Sequence, residues 1–238
     1  MRLDQYLVNN NYYESRNKAK YEIENGNVLV NSVPVLKSSY LVSLDDVISI
    51  IKENELKYVS KGGLKLERAL EYYKIDVENK TCLDIGASTG GFTDCLLKHK
   101  AKEVYAVDTG YNQLHESLRG MTEIHSYEKT NFLSMDLFFK DDIDIIVIDV
   151  SFVKLETILE RVLKEFKNVV VIALIKPQFE LGKTYIKNGV VKDKKLHDMV
   201  INNIKLYLSS YNVSIKEVIE SPILGGSGNK EFLISFKI

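Results

Sequence analysis

The period of apolar residues changes near residue 57, and each period predicts its own architecture. Leu3, Tyr6 and Leu7 recur at helical spacing, and Ser15 is placed to cap a second helix that buries Ala19 and Ile23 and stops at Gly26. The period then drops to two. Val28 and Val30 predict a strand, Asn31-Ser32 a turn, Val33 and Val35 its partner, and Val47 to Ile51 a closing strand. The polar stretch Lys52-Glu53-Asn54-Glu55 reads as a linker, so the chain is expected to hold two domains, 1–57 and 58–238.

Beyond the linker, strands and helices alternate. Helices are predicted around Leu64 to Tyr73, Gly91 to His99, Val153 to Phe166 and Lys194 to Ser209. Seven strands are predicted: Thr81 to Ile85, Val104 to Asp108, Glu123 to Tyr127, Ile143 to Asp149, Asn168 to Ile175, Val213 to Glu220 and Phe232 to Ile238. Near-continuous apolar runs such as Ile145-Ile146-Val147-Ile148 suit parallel strands covered on both faces. The expected fold is therefore α/β, a Rossmann-like doubly wound sheet preceded by a small α+β unit.

Composition narrows the function. With 238 residues, 45% apolar and 27% charged, the chain can close a real core, and disorder is excluded. Lys plus Arg (32) balance Asp plus Glu (33), so a nucleic-acid partner requires a local basic patch. One candidate exists. Arg16 and Lys20 lie four apart on the second helix and, with Arg2 and Lys18, form a small cluster, offset by Glu22, Glu24, Asp45 and Asp46. Such a cluster is either a solvated face or a contact for a polyanion met on one side only. Cys82 and Cys95 have no second pair, so neither a disulfide framework nor a zinc site is expected; both read as core residues, and a reducing cytoplasm fits. The start carries no apolar signal region, and no apolar run approaches the roughly 18–20 residues of a membrane helix.

The segment Leu83 to Phe92 runs from a strand through a glycine loop into a helix, where a nucleoside cofactor sits in such folds. A dinucleotide loop wants glycine at its middle position, and here that position is Ser88. Asp84 at the strand end, with Gly86, Gly90 and Gly91, fits S-adenosylmethionine better, since a sulfonium and an amino-acid end favour an acidic, phosphate-free pocket. Asp108 closes the next strand, placed for two ribose hydroxyls, and Thr130-Asn131 is expected on the adenine side.

Residues at later strand ends decide the acceptor. Asp149 and Lys176 follow apolar strands, Glu231 begins the last strand after Gly225-Gly226-Ser227-Gly228, and Lys65 lies on the helix before the sheet. Two lysines and two carboxylates meeting over a methyl donor suit transfer to a ribose hydroxyl, which needs a base or an orienting partner. Any of the four can take the proton on this reading. Base-amine methylation commonly uses an Asn/Asp-Pro-Pro-aromatic loop where this chain has Asp149-Val150-Ser151-Phe152, and ring-carbon methylation needs a cysteine that is absent there.

The stretches Tyr58 to Leu66, Asp84 to Asp94, Asp149 to Phe152 and Ile175 to Glu180 resemble the TlyA, or hemolysin A, family of ribosomal RNA 2′-O-methyltransferases. The resemblance covers essentially the whole chain. It implies an S4-like RNA-binding domain followed by an FtsJ-like methyltransferase domain, a catalytic tetrad at Lys65, Asp149, Lys176 and Glu231, and S-adenosylmethionine as cofactor. It also implies cytidine 2′-O-methylation in 16S and/or 23S rRNA, with ribosomal RNA or ribosomal subunits as partners; from the residues themselves, neither a membrane partner nor a metal is expected. Where the family commonly has Ser-Arg-Gly, this chain has Ser60-Lys61-Gly62, which keeps the charge of an RNA contact and loses its planar fork. Two other classes stand beside this one: a membrane-active cytolysin, suggested by the family's label, and a non-catalytic module that holds donor and RNA during ribosome assembly.

Overall fold

The structure is a computed structural model in which residues 1–24, 26–51, 57–186, 189–211, 213–225 and 228–238 are described. The expected linker, Lys52 to Glu55, and Gly226-Ser227 of the late glycine loop lie outside them. The chain divides into two compact units: Met1–Leu56 with Leu224–Asn229, and Lys57–Ile223 with Lys230–Ile238.

The first unit has two helices, α1 (Leu3–Asn9) and α2 (Arg16–Glu24), and a small sheet of β1 (Val28–Val30), β2 (Val33–Pro34) and β3 (Ile48–Ile50) in the order β2-β1-β3. Ser15 Oγ accepts from the Lys18 N–H at 3.2 Å, which supplies the start of α2. Asn31 and Ser32 take φ of 51° and 66°, the left-handed pair that lets a two-residue turn follow the strand twist. Leu3, Leu7, Ala19, Ile23, Val28 and Val30 close the core. Against this core lies a buried acid, Asp4, held by Arg2 Nε at 3.0 Å and Arg16 Nη2 at 2.7 Å. The Arg2 hydrogen bond, opposed by burial and aided by Arg16, brings the Asp4 carboxyl down to about 2.

The second unit runs α3 (Gly62–Tyr73), β4 (Thr81–Ile85), α4 (Gly91–Lys98), β5 (Glu103–Val107), β6 (Ile124–Tyr127), β7 (Ile145–Ile148), α5 (Leu155–Glu165) and β8 (Val170–Ile175). It continues with α6 (Pro177–Glu180), α7 (Lys194–Ser209), β9 (Ser214–Ile215), β10 (Ile219–Glu220) and β11 (Phe232–Lys237). The sheet order is β10-β11-β8-β7-β4-β5-β6, with β4 to β8 parallel and β11 antiparallel to β8. Alternate strand residues feed two apolar layers. Leu83, Ile85, Ile146 and Ile148 pack with α5 and α7, whereas Cys82, Val104, Ile145 and Val147 pack with α3 and α4.

One expected strand is interrupted. Val213 to Glu220 forms two pieces, β9 and β10, which pair with opposite ends of β11 and bring the sheet to eight strands where the pattern predicts seven. Between the pieces the Glu217 carbonyl accepts from the Tyr73 hydroxyl of α3 at 2.8 Å instead of from a ladder partner. A short helix, α6, also follows β8 where the apolar period shows nothing.

The parallel strands end on one side, and the order reverses at β4, which β5 and β7 flank. The segments after β4, β5, β7 and β8 therefore open into one crevice.

Replacing Asp4 with Asn tests the first unit. Because the folded pKa is depressed, the acid's contribution is present above about 4 and is lost as pH falls towards about 2. The wild-type advantage in urea unfolding is expected to be about 1–2 kcal/mol at pH 7, discounted because both guanidinium groups stay in water, and to shrink steadily below pH 4. An advantage independent of pH contradicts this account of Asp4.

Candidate active site

Close approach shapes the crevice. Gly86 has φ of +89°, and a Cβ there lies 2.4 Å from the Asp149 carbonyl oxygen, so only glycine lets the loop after β4 press on the end of β7. At the start of α4, a Cβ on Gly91 lies 2.2 Å from Ser60 Oγ and 3.0 Å from the Gly63 nitrogen, which is how α3 comes tight against α4. The resulting cleft holds about 470 Å³, lined in part by Gly86, Ser88, Asp108, Asn131, Asp149 and Phe152.

Asp108 is oriented at the cleft wall by two backbone donors, the Ser88 N–H at 2.8 Å and the Gly110 N–H at 2.6 Å. Asn131 accepts from the Leu133 N–H at 2.9 Å, which turns its amide to one side of the cleft. Asp84, Gly90 and Gly91 are not among the residues lining the cleft; they support its wall from beneath. The Asp84 side chain is wholly buried and accepts from Thr93 Oγ1 at 2.7 Å, while its Oδ1 has no hydrogen-bond partner among the described residues. Burial pushes this carboxyl up to about 7; the Thr93 bond opposes the rise and the Asp149 charge adds to it.

Four ionisable side chains from distant parts of the chain meet in a buried cluster, and one of them, Asp149, lines this cleft. Lys65 of α3 reaches Glu231, just before β11, at 2.6 Å, with only 10% and 2% of the two side chains exposed. Lys176, at the end of β8, meets Asp149 Oδ1 at 2.5 Å and donates to Ser151 Oγ at 3.0 Å. The pairs act on one another. Burial works to lower the Lys65 pKa, but Asp149 and then Glu231 outweigh it and hold the ammonium above its ordinary value. Burial likewise works to raise Asp149, and Lys176 together with Lys65 brings it below the usual carboxylate range. Both groups therefore stay charged at neutral pH. Such a cluster can orient a hydroxyl, the ammonium groups donating to its oxygen and a carboxylate accepting its proton and becoming neutral as it does so.

Two neighbours of the cluster were not singled out from the sequence. Ser151 accepts from Lys176, and Gln178 Nε2 donates to Glu231 Oε1 at 3.3 Å. Each sits inside a stretch whose flanking charges drew attention, and the only signal available was adjacency to those charges.

The cations expected to meet RNA are drawn into ion pairs in the first unit. Arg2 and Arg16 share Asp4, Lys18 meets Glu22 at 2.8 Å, and Lys20 lies 3.7 Å from Glu24. All four keep large exposed fractions, and exposed pairs of this kind are worth little, so phosphate can compete for them. Lys61, in the second unit, immediately precedes α3 and is half-buried.

A doubly wound sheet with a glycine loop after its central strand and a carboxylate at the next strand end defines a nucleoside-cofactor fold. Family comparison agrees: residues 58–238 match the FtsJ-like methyltransferase family and residues 1–48 the S4 domain family. The chain belongs to the FtsJ-like methyltransferases and carries an S4 domain at its amino end. It is similar, at 43% identity over the full length of both chains, to Hemolysin A of Brachyspira hyodysenteriae. It is 35% identical to the 16S/23S rRNA (cytidine-2′-O)-methyltransferase TlyA of Mycobacterium tuberculosis, over 98% of this chain and 88% of that one. A solved structure of a candidate hemolysin from Streptococcus thermophilus superposes with a TM-score of 0.74 at 38% identity, covering 99% of this chain and 87% of the other.

The raised Asp84 carboxyl gives a pH test. A folded pKa of about 7 against an unfolded value near 4 means that the native state binds the extra proton, so the group erodes stability as pH rises between those values. Asp84→Asn, which keeps an acceptor for Thr93, is expected to gain on wild type from pH 4 to pH 7, by on the order of 2–4 kcal/mol, and to hold that gain above pH 7. A gap in unfolding free energy that stays flat across this range contradicts the assignment.

Proposed function

We propose that this chain is an S-adenosylmethionine-dependent 2′-O-ribose methyltransferase of ribosomal RNA, acting on cytidine in 16S and/or 23S rRNA in the cytoplasm. The observation that carries this reading is the convergence of Lys65, Asp149, Lys176 and Glu231 in one buried cluster that reaches the cleft through Asp149. The named activity of the tuberculosis relative, alike over 98% of this chain, supports the same substrate class.

The cleft fits the cofactor by its chemistry. Asp108 offers its two carboxylate oxygens to ribose hydroxyls, Asn131 and Ser88 line the same cavity, and Gly86 gives the close backbone approach. Gly90 and Gly91 hold the loop and helix that frame it, and the buried Asp84 ties β4 to that helix through Thr93. When bound, S-adenosylmethionine supplies an electrophilic methyl group on a sulfonium.

This chain's residues then orient the acceptor. Lys65, held as an ammonium, is a hydrogen-bond donor and not a base. The ionised Asp149, facing the cleft and tied to Lys176, is the group that holds the hydroxyl proton as the oxygen attacks. Glu231 keeps Lys65 in place. Arg2, Arg16, Lys18, Lys20 and Lys61 exchange or supplement their contacts to take up RNA phosphates, which makes docking weaken with salt. Recognition of this sort reads backbone and shape, because A-form helices hide their base edges. Despite the hemolysin names among the relatives, no helix among the described residues is long and apolar enough to cross a membrane.

Labelled donor supplied with separate 30S, 50S and 70S particles, followed by digestion to nucleosides, is expected to place label in 2′-O-methylcytidine. Lys176→Ala is expected to lower transfer by about 100-fold or more while donor affinity is retained. Label in a base rejects the acceptor chemistry, and donor binding with no transfer to any particle points instead to a non-catalytic assembly role.

A further inference from the structure

Two of the four clustered side chains come from strand-end segments that have no covalent reason to stay aligned: Asp149 to Phe152 after β7 and Lys176 to Phe179 after β8. Lys176, a ring pair and a hydrogen bond between the flanking helices tie them. Lys176 meets Asp149 and Ser151, the Phe152 and Phe179 rings sit 4.9 Å apart, and Glu180 Oε1 accepts from the Leu155 N–H at 2.8 Å. The third has a distinct physical logic. Leu155 is the first residue of α5, an eleven-residue helix whose own N-cap residue, Lys154, makes no side-chain cap. Helix starts leave unpaired N–H groups, and a carboxylate there also meets the positive end of the helix dipole. Here the cap comes from the far segment, at the end of α6, and the half-buried Glu180 crosses from the β8 side to the β7 side to supply it.

The strain in the first segment shows what this cap restrains. Phe152 has φ of 65°, a left-handed conformation that a bulky side chain rarely adopts, and it is 92% exposed. Burial of its own ring does not account for that conformation. Both ends of the strained segment are anchored instead, one by the Asp149 N–H to the Ile85 carbonyl at 3.0 Å and the other by Glu180 at Leu155.

We propose that Glu180 is a positioning residue for methyl transfer: by capping α5 across the two segments, it holds Asp149 and Ser151 at the register where Lys176 reaches both. This role rests on the methyltransferase reading above. Glu180 itself does not touch the reacting atoms; it acts through Lys176 and Asp149.

The test uses the full-length protein with ribosomal particles and labelled donor. Glu180→Ala is expected to lower kcat by about 10–100-fold, the scale of a misplacement near 1 Å, with KM for the particles changed by less than about threefold. Glu180→Gln, whose amide oxygen can still accept from Leu155, is expected to restore kcat to within about threefold of wild type. A double-mutant cycle on kcat with Ser151→Ala is expected to be non-additive, since both changes loosen the same ammonium. If Glu180→Ala only lowers the melting temperature, leaving kcat intact well below it, the carboxylate is a helix cap and nothing more, and the proposal fails. Failure of Gln to rescue, or an additive cycle, overturns it as well. Wild-type protein that transfers no methyl to any particle overturns the functional reading first and the positioning role with it.

Discussion

Removing four charges from water at one site is the condition the rest of this fold has to satisfy. An ionised side chain loses about several kcal/mol of hydration on burial, and a neighbour of opposite sign returns that energy only when geometry is close. Here two pairs at 2.6 and 2.5 Å compensate one another, and the coupling extends between pairs, because Asp149 acts on Lys65 as well as on Lys176. Each member arrives from a different element: α3, the end of β7, the end of β8, and the start of β11. The fold must therefore fix four segments at once. The parallel strands bring Asp149 and Lys176 to the same side, the antiparallel return of β11 brings Glu231 beside them, and the glycine-tight approach of α3 to α4 sets the helix that carries Lys65.

Much of this arrangement was legible in the primary order, for physical reasons. Parallel strands buried on both faces must be apolar throughout, so Ile145 to Ile148 and Val170 to Ile175 announce themselves, and the charge that ends each run must sit at the crevice. What eludes such reading is long-range. At the break between β9 and β10 the Glu217 carbonyl is met by a hydroxyl on Tyr73, well over a hundred residues away, and no local pattern encodes that contact. Asp4 is legible only as an acid near the start; its burial beneath Arg2 and Arg16 needs the folded unit. Gly90 and Gly91 have the look of cofactor contacts, yet the space they save is taken by Leu118 and Ser60. Ser151, Gln178 and Glu180 are ordinary polar residues until the two strand ends are placed side by side.

The amino-terminal unit follows a different electrostatic logic. Its cations are neither free nor deeply committed: Arg2 and Arg16 hold a buried acid with their guanidinium groups still in water, and Lys18 and Lys20 make pairs along α2. A net charge of -1 gives the chain no long-range pull on a polyanion. On the proposed reading, RNA is taken up by such a surface through exchange of partners at short range and less through attraction at a distance.

The mutual compensation of the buried charges can be measured directly through unfolding free energies of Lys65→Met, Glu231→Gln and the double variant at neutral pH. Each single change leaves a buried charge or a buried polar group without its partner, whereas the double change removes both. The account predicts that the double variant loses less stability than the two single losses combined, by about 2 kcal/mol or more. Strictly additive losses would contradict it, because they would mean that Lys65 and Glu231 do not stabilise one another and that the four charges are not one site.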